Sequence, residues 1–394
     1  MNASDSPISF AKLRARGAIC ADKTELLCKL VCNYENALLT RPDGFGKTRL
    51  IDTLARLFEC GANDFFDGTF AKDKWDLPKY PVLRLDFSEF GSGYDGMVAR
   101  IKLRIRSFAQ SLGLNSCEEG SNPDQCLQNL FYSLPDEQQF VLLIDNYDRQ
   151  LVSSVHDPEL FDKIKKCLNN FFAMQKGASQ IRFMLVTGIT RFKDVSNFTA
   201  SSDIDDISYS SAFAALAGYT REELRGCADQ IRQAASKTFD VAPGEVTEPQ
   251  LEKLLDLLEA QYGGFCFDLH GQNTVMRAAS VNSFFDSLSK PGTQGFSSDR
   301  FDSKAKNSPL ITDYLSVYGM RVNRKLLSED VAVDYNAFMN PVSFEDIDPQ
   351  VLLCQAGLLT LKTQLRMGWP VKAGIPNLEM KRAAEKLFSQ KAQA

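Results

Sequence analysis

Histidine is almost absent: His156 and His270 are the only two in 394 residues, and they lie far apart. None of the ten cysteines forms a Cys-x-x-Cys pair or joins a Cys/His cluster, and the closest spacing of interest is Cys28 and Cys32, four apart on an expected helix. These gaps argue against a structural zinc site and against a Cys–His nucleophile pair. Free thiols in a reducing cytoplasm are the simplest expectation. No apolar run approaches the roughly 20 residues that cross a bilayer. Residues 1–10 are polar and lack the apolar stretch of a signal peptide, so neither membrane nor secretion is expected. Basic excess is missing too: 45 Lys and Arg stand against 50 Asp and Glu, a net charge of −5. That balance argues against a surface devoted to coating nucleic acid, although it leaves room for a local basic groove. The length implies two or three domains with ample core.

What is present is the stretch Arg41-Pro42-Asp43-Gly44-Phe45-Gly46-Lys47-Thr48. It ends as a nucleotide phosphate-binding loop does. Backbone N–H groups around Gly44 and Gly46 would cradle phosphates, Lys47 would reach the outer ones, and the Thr48 hydroxyl would hold Mg²⁺. A full match would begin with glycine, where this chain has Arg41. The flanks fit: Ala37–Thr40 reads as a buried strand, and Leu50, Ile51, Leu54, Leu57 and Phe58 recur at helical spacing. A helix starting at the lysine adds its positive end to the phosphate site. A chance Gly-Lys-Thr in an ordinary strand-to-helix turn is the alternative.

Strand-like and helix-like segments then alternate. Strands are expected at 80–87, 140–145, 181–187 and 206–209, and helices over 95–112 and 158–174. This alternation predicts a parallel sheet with helices on both faces. Beyond Gly218-Tyr219-Thr220, amphipathic helices are expected over 221–238 and 248–261, and an exposed loop over 287–308. Short strands near 358–361 and Trp369 and a helix from Asn377 to about 390 complete the pattern. The expected organisation is a P-loop unit over 1–220, a helical region over 221–320 and a small winged-helix-like or α/β unit over 321–394.

The strand Leu142-Leu143-Ile144-Asp145 ends in the carboxylate a P-loop site needs near Mg²⁺; on its own, Asp145 would equally well cap a turn. Many ATPases of this layout follow with a glutamate that polarises water, and here Asn146 stands there. An amide orients water but does not take its proton. Asp148 is the nearest other carboxylate, with a turn-capping role preferred. Thr187 or Thr190, at the end of the next strand, would sense the γ-phosphate. Arg191 would either pair with phosphate, within the chain or across a subunit interface, or form a structural salt bridge.

Several stretches coincide with one family. They are Asp22–Leu27, Arg41-Pro42 with Phe45–Thr48, Tyr80-Pro81-Val82 leading to Leu85-Asp86-Phe87, and Leu142–Asp145 with Tyr147-Asp148. Thr187-Gly188 with Arg191-Phe192 and Gly218-Tyr219-Thr220 with Glu222-Glu223-Leu224 follow, with fainter matches at Tyr262–Phe265, Gln355–Thr360 and Ile375-Pro376-Asn377. Over about residues 9–385 the chain resembles the predicted AAA-ATPase-like family of bacteria. The resemblance implies an ATP-binding core whose site is Lys47, Thr48 and Asp145, with ATP and Mg²⁺ as ligands. It also implies basic residues where Asp43 and Gly44 stand and Glu where Asn146 stands, so these are departures. The family often carries a C-terminal PD-(D/E)xK nuclease-like domain, which this chain is expected to lack. Glu379-Met380-Lys381 has a nuclease-like spacing but reads as a solvated pair on a helix. Three functions follow: an ATP-dependent switch with weak or absent hydrolysis, a degenerate scaffold that binds protein or nucleic acid without nucleotide, or a nucleic-acid-directed module in genome defence. Self-association through Arg191 is a further expectation.

Overall fold

A computed structural model describes residues 19–90, 93–114, 120–175, 177–191, 204–288, 310–311, 324–340 and 347–391. Its centre is a five-stranded parallel sheet of β1 (Asn36–Thr40), β2 (Val82–Asp86), β3 (Phe140–Asp145), β4 (Ile181–Gly188) and β5 (Asp205–Asp206), in the order β2-β3-β4-β1-β5. Alternation within the strands explains why helices cover both faces. Leu142 and Ile144 of β3 and Met184 and Val186 of β4 pack with Met97, Ile101, Leu127 and Leu168 from helices Tyr94–Ser111, Pro123–Ser133 and Pro158–Ala173. Their neighbours Val141, Leu143, Phe183 and Leu185 face Leu27, Leu50, Leu54 and Phe58 from helices Thr24–Asn33 and Lys47–Cys60. Successive strand side chains point to opposite faces, so a strand apolar at every position is one buried twice; all six residues of β3 are buried.

Because the strands are parallel, their carboxyl ends line one edge, where ligands of such sheets bind. β4 lies between β1 and β3.

The rest of the chain is helical with small sheets. The single helix expected over 221–238 is two, Arg221–Gly226 and Ala228–Phe239, broken at Cys227. Thr220 caps the first of them through a reciprocal pair with Glu223. Helix Glu248–Tyr262 follows, then the hairpin of β6 (Phe265–Cys266) and β7 (Thr274–Val275) and helix Ala278–Leu288. Residues 289–308 of the expected loop lie outside the described residues, and Ser287 and Leu288 end a helix instead. A three-stranded antiparallel sheet, β8 (Val331–Val333), β10 (Val371–Gly374) and β9 (Thr360–Leu361), precedes the final helix Leu378–Lys391. The second of its expected strands falls at 371–374, just past Trp369. No described helix is long and apolar enough to cross a membrane. Cys126 is disulfide-bonded, which departs from the expectation of free thiols throughout, whereas Cys28, Cys32 and Cys60 are among those that are free.

Candidate nucleotide site

The loop from Arg41 to Gly46 connects the carboxyl end of β1 to helix Lys47–Cys60, with Gly46 at the cap position (φ 92°). Lys47 is buried, and its Nζ donates to the carbonyls of Arg41 (2.8 Å) and Pro42 (3.1 Å), spanning the loop. Burial pulls its pKa down, and Asp43, Asp148 and Asp145 pull it back up. All three carboxylates therefore lie within electrostatic reach of the ammonium.

Arg41, in the place of the first glycine, points away from the loop's mouth. It is 1% exposed. Its Nη1 donates to the carbonyls of Thr40 (2.8 Å) and Ser208 (2.6 Å), its Nη2 to that of Phe213 (3.2 Å), and its guanidinium lies 4.2 Å from the centre of the Phe267 ring. Burial brings its pKa down to about 10. Phe45 is buried on the same side, edge-on to Phe265 and Phe267. The odd residue of the motif is thus a packing element beneath the loop.

The loop's outer limb is braced by later parts of the chain. Arg277 Nε donates to the Asp43 carbonyl (2.9 Å), Ala279 N to that of Gly44 (2.8 Å) and Gly218 N to that of Phe45 (2.9 Å). Gly44 adopts φ +85°, and a Cβ there would come within 2.8 Å of Arg277. The positive φ favours glycine at 44, and a side chain there would also displace the Arg277 guanidinium. Behind Arg277 stands Glu379, which is buried, accepts from Ser280 Oγ (2.9 Å) and lies 3.8 Å from Arg277 Nη1. Glu379 is therefore not half of a solvated pair; helix Leu378–Lys391 turns it inward while Lys381 stays exposed. The fainter motifs converge here as well. Asn377 Nδ2 donates to the Gly263 carbonyl (2.6 Å), and a Cβ at Gly357 would come within 2.7 Å of Pro42.

At the end of β3, Asp145 is buried and accepts a short hydrogen bond from Thr187 Oγ1. Burial raises its pKa, with Thr187 and Thr48 drawing it back down. Its second oxygen, Oδ2, is buried without a hydrogen-bond partner. An orphaned carboxylate oxygen beside an exposed threonine hydroxyl, both hard donors, fits Mg²⁺, which takes one or two protein oxygens and completes its shell with phosphate and water. Among the described residues no cluster of three His, Cys, Asp or Glu forms an all-protein metal cage.

Asp148 is not free to act as a base. It is buried, and its Oδ2 accepts from Ile189 N (2.9 Å), Thr190 N (2.6 Å) and Thr190 Oγ1 (2.6 Å). Burial raises its pKa against those bonds. It caps the exit of β4, which also occupies the Thr190 hydroxyl. Thr187 is the threonine directed at Asp145. Gly188 leaves room for this clasp, since a Cβ there would lie 2.5 Å from the Tyr147 ring. Asn146 adopts a left-handed conformation (φ 54°) and donates from Nδ2 to Asp86 Oδ1 (3.1 Å). It shares a cleft with Asp43, Ser88 and Arg149.

Arg191 is paired with Asp206, Nε to Oδ2 at 2.8 Å and Nη2 to Oδ2 at 2.6 Å, and lies over the Tyr209 ring. Burial lowers its pKa, but Asp206 outweighs this and holds it above the ordinary arginine value. Of the two roles open to it in the sequence, the structure displays the salt bridge. Phe192 lies outside the described residues.

The site therefore brings Gly44, Gly46, Lys47, Thr48, Asp145, Asn146 and Thr187 to one edge of the sheet and leaves Arg191 in an ion pair. Arg277 and Glu379 brace the loop, and Arg149 lines the adjoining cleft, without figuring among the residues the motifs mark. Arg149 directly follows the Asp145–Asp148 motif and was open to notice; the other two carry no local signal.

The model of a family described as "AAA-ATPase_like: Predicted AAA-ATPase" matches residues 7–198. An "Uncharacterized protein in vnfD 5'region" of Azotobacter chroococcum mcd 1 is 26% identical over 386 residues, covering 95% of this chain and 67% of that protein. Among solved structures, the Walker-type ATPase paby2304 of Pyrococcus abyssi matches with a TM-score of 0.40 at 11% identity, covering 92% of this chain and 94% of that one. The Aeropyrum pernix ORC1 protein, solved in complex with DNA, matches with a TM-score of 0.37 at 12% identity, covering 95% of each chain. Over residues 7–198, just under half of its length, the chain is similar to the predicted AAA-ATPase family.

Proposed function

We propose that the chain binds ATP with Mg²⁺ at the Arg41–Thr48 loop and works as a nucleotide-dependent switch with weak or absent hydrolysis. The observation that carries this reading is the meeting of Lys47, Thr48 and the unpartnered Oδ2 of Asp145 at one sheet edge. Beside Gly46 lies a narrow apolar pocket lined by Thr24, Arg49, Leu50, Gly218, Tyr219 and Ala278, which would have to widen to take the base of a nucleotide. Thr48 and Asp145 would hold the metal, which neutralises phosphate charge. Thr187 orients Asp145 for that task.

Asn146 accounts for the weak turnover. Its amide accepts no proton from water, and a general base typically contributes ~10²–10⁴-fold. Asp148 does not replace it, because three donors already hold its carboxylate. The proposed organisation is a nucleotide unit over 1–220, a helical region over 221–320 that braces the loop, and a winged-helix-like unit over 321–394.

Titration with a fluorescent ATP analogue, with and without Mg²⁺, tests this on the native protein and on Lys47→Ala. The expected result is Mg²⁺-dependent binding that the substitution abolishes; identical behaviour of the two proteins sinks the reading. A second reading is a scaffold that binds protein or nucleic acid without nucleotide. It draws on the Lys47 ammonium being engaged by two loop carbonyls, and it gains if no nucleotide binds.

A further inference from the structure

Five arginines approach the candidate site, and four are committed elsewhere, among them Arg49, whose Nη2 donates to Cys20 Sγ (3.1 Å). Arg41 is buried on the carbonyls of Thr40, Ser208 and Phe213. Arg191 is paired with Asp206. Arg277 donates to the Asp43 carbonyl and the Ser280 hydroxyl. Arg149 differs: it is exposed, and its side chain makes no ion pair or hydrogen bond among the described residues. It lines the cleft that also holds Asp43, Ser88, Asn146, Asp148 and Ile189.

The backbone that carries Arg149 is fixed at the carboxyl edge. Arg149 N donates to the Asn146 carbonyl (2.9 Å), Tyr147 N to the Thr187 carbonyl (3.0 Å) and Tyr147 Oη to the Thr190 carbonyl (2.9 Å). Asp148 is clasped by the turn after β4. A solvated guanidinium thus rises from a rigid base at the mouth of a cleft whose other charged side chains, Asp43 and Asp148, are acidic. A terminal phosphate entering beside Asp43 meets net negative charge unless a cation faces it from outside, because Lys47 is held on the inner side of the loop. An arginine is suited to this, offering several donors to phosphate oxygens.

We infer that Arg149 reads the terminal phosphate of a bound nucleoside triphosphate and so distinguishes it from the diphosphate. The inference rests on the nucleotide reading of the loop and deepens it: phosphate pairing, one of the two roles the sequence left open for Arg191, passes to a residue of the β3 exit. An arginine lost from such a contact removes one or two charge-assisted hydrogen bonds to phosphate, which corresponds to roughly a tenfold or greater loss of affinity for the ligand that makes them.

The test is calorimetric binding of ATP and of ADP, both with Mg²⁺, to the full chain, to Arg149→Ala, to Arg149→Lys and to Lys47→Ala. The expected result is that Arg149→Ala weakens ATP about tenfold or more and leaves ADP within about twofold, with Arg149→Lys in between. Equal effects on both nucleotides, or none on either, overturn the assignment while leaving the loop reading intact, provided Lys47→Ala abolishes binding. If the native chain binds neither nucleotide, the loop reading falls and this assignment with it. Arg149 is exposed, so the substitutions are not expected to unfold the protein, and unchanged thermal melting verifies that.

Discussion

Arg41 and Asn146 both stand where a nucleotide-binding sheet ordinarily has something else, the first at the end of β1 and the second just past β3. They behave in opposite ways. Arg41 turns under the loop and supplies donors to three carbonyls that a glycine would leave bare. Asn146 remains half-buried at the cleft, its side chain on Asp86 and its backbone left-handed. The lesson is that a departure from a motif has no meaning until its side chain has been located. One of these is absorbed into the packing beneath the loop, while the other stays at the cleft, where the proposed function gives it a part in the chemistry.

The contrast breaks most readily at Arg41. Arg41→Ala leaves a cavity and strands several buried carbonyls, so a loss of roughly 3–5 kcal/mol is expected in denaturant unfolding. A loss below about 1 kcal/mol would mean that the guanidinium is not the support described. Glu379→Ala comes next. Removing a buried carboxylate from Ser280 and Arg277 should cost roughly 2–3 kcal/mol in the same measurement, and it should weaken nucleotide binding because Arg277 holds the Asp43 carbonyl. Unchanged affinity would separate the brace from the site. Asn146→Glu tests the other side of the contrast. A left-handed glutamate near Asp86, Asp145 and Asp148 should cost about 1–3 kcal/mol, whereas Asn146→Gly should lose less. If the glutamate variant folds, its hydrolysis rate should rise; fast turnover by the native chain would contradict the role given to Asn146.

The smallest effect is in pH. Because burial lowers the Lys47 pKa, the ammonium is lost at a lower pH than that of a free lysine, near 10.4. The sign follows: a base whose folded pKa is depressed binds fewer protons than the unfolded chain between the two values, so stability rises with pH across that window. Nucleotide affinity moves the other way, falling as pH climbs through the folded pKa while the charge that faces phosphate disappears. Binding measured from neutral to alkaline pH should show this decline, and Lys47→Arg should flatten it.

The sheet was legible because its strands are short apolar runs ended by turn residues; Asp145 stood out only together with the upstream Gly-Lys-Thr, and the strand end alone did not choose between Thr187 and Thr190. What remained hidden is tertiary. The partner of Arg191 is Asp206, which the sequence marks only as the start of an expected strand; the strand is Asp205–Asp206, and its pairing with β1 carries the carboxylate to Arg191. Glu379 reads as an exposed helical residue because its partner Ser280 lies 99 positions away. The break at Cys227 has neither glycine nor proline at the residue itself to announce it. Local spacing records which residues share a face of one element, and it holds no information about what arrives from elsewhere.

The bracing of the loop has a temporal consequence. Its Asp43 carbonyl waits for Arg277, 234 residues downstream, and Arg277 in turn lies beside Glu379. Synthesis runs from the N-terminus and early segments fold first. A ribosome-bound chain therefore has β1 and the lysine of the loop in hand long before the residues that hold the loop's outer limb.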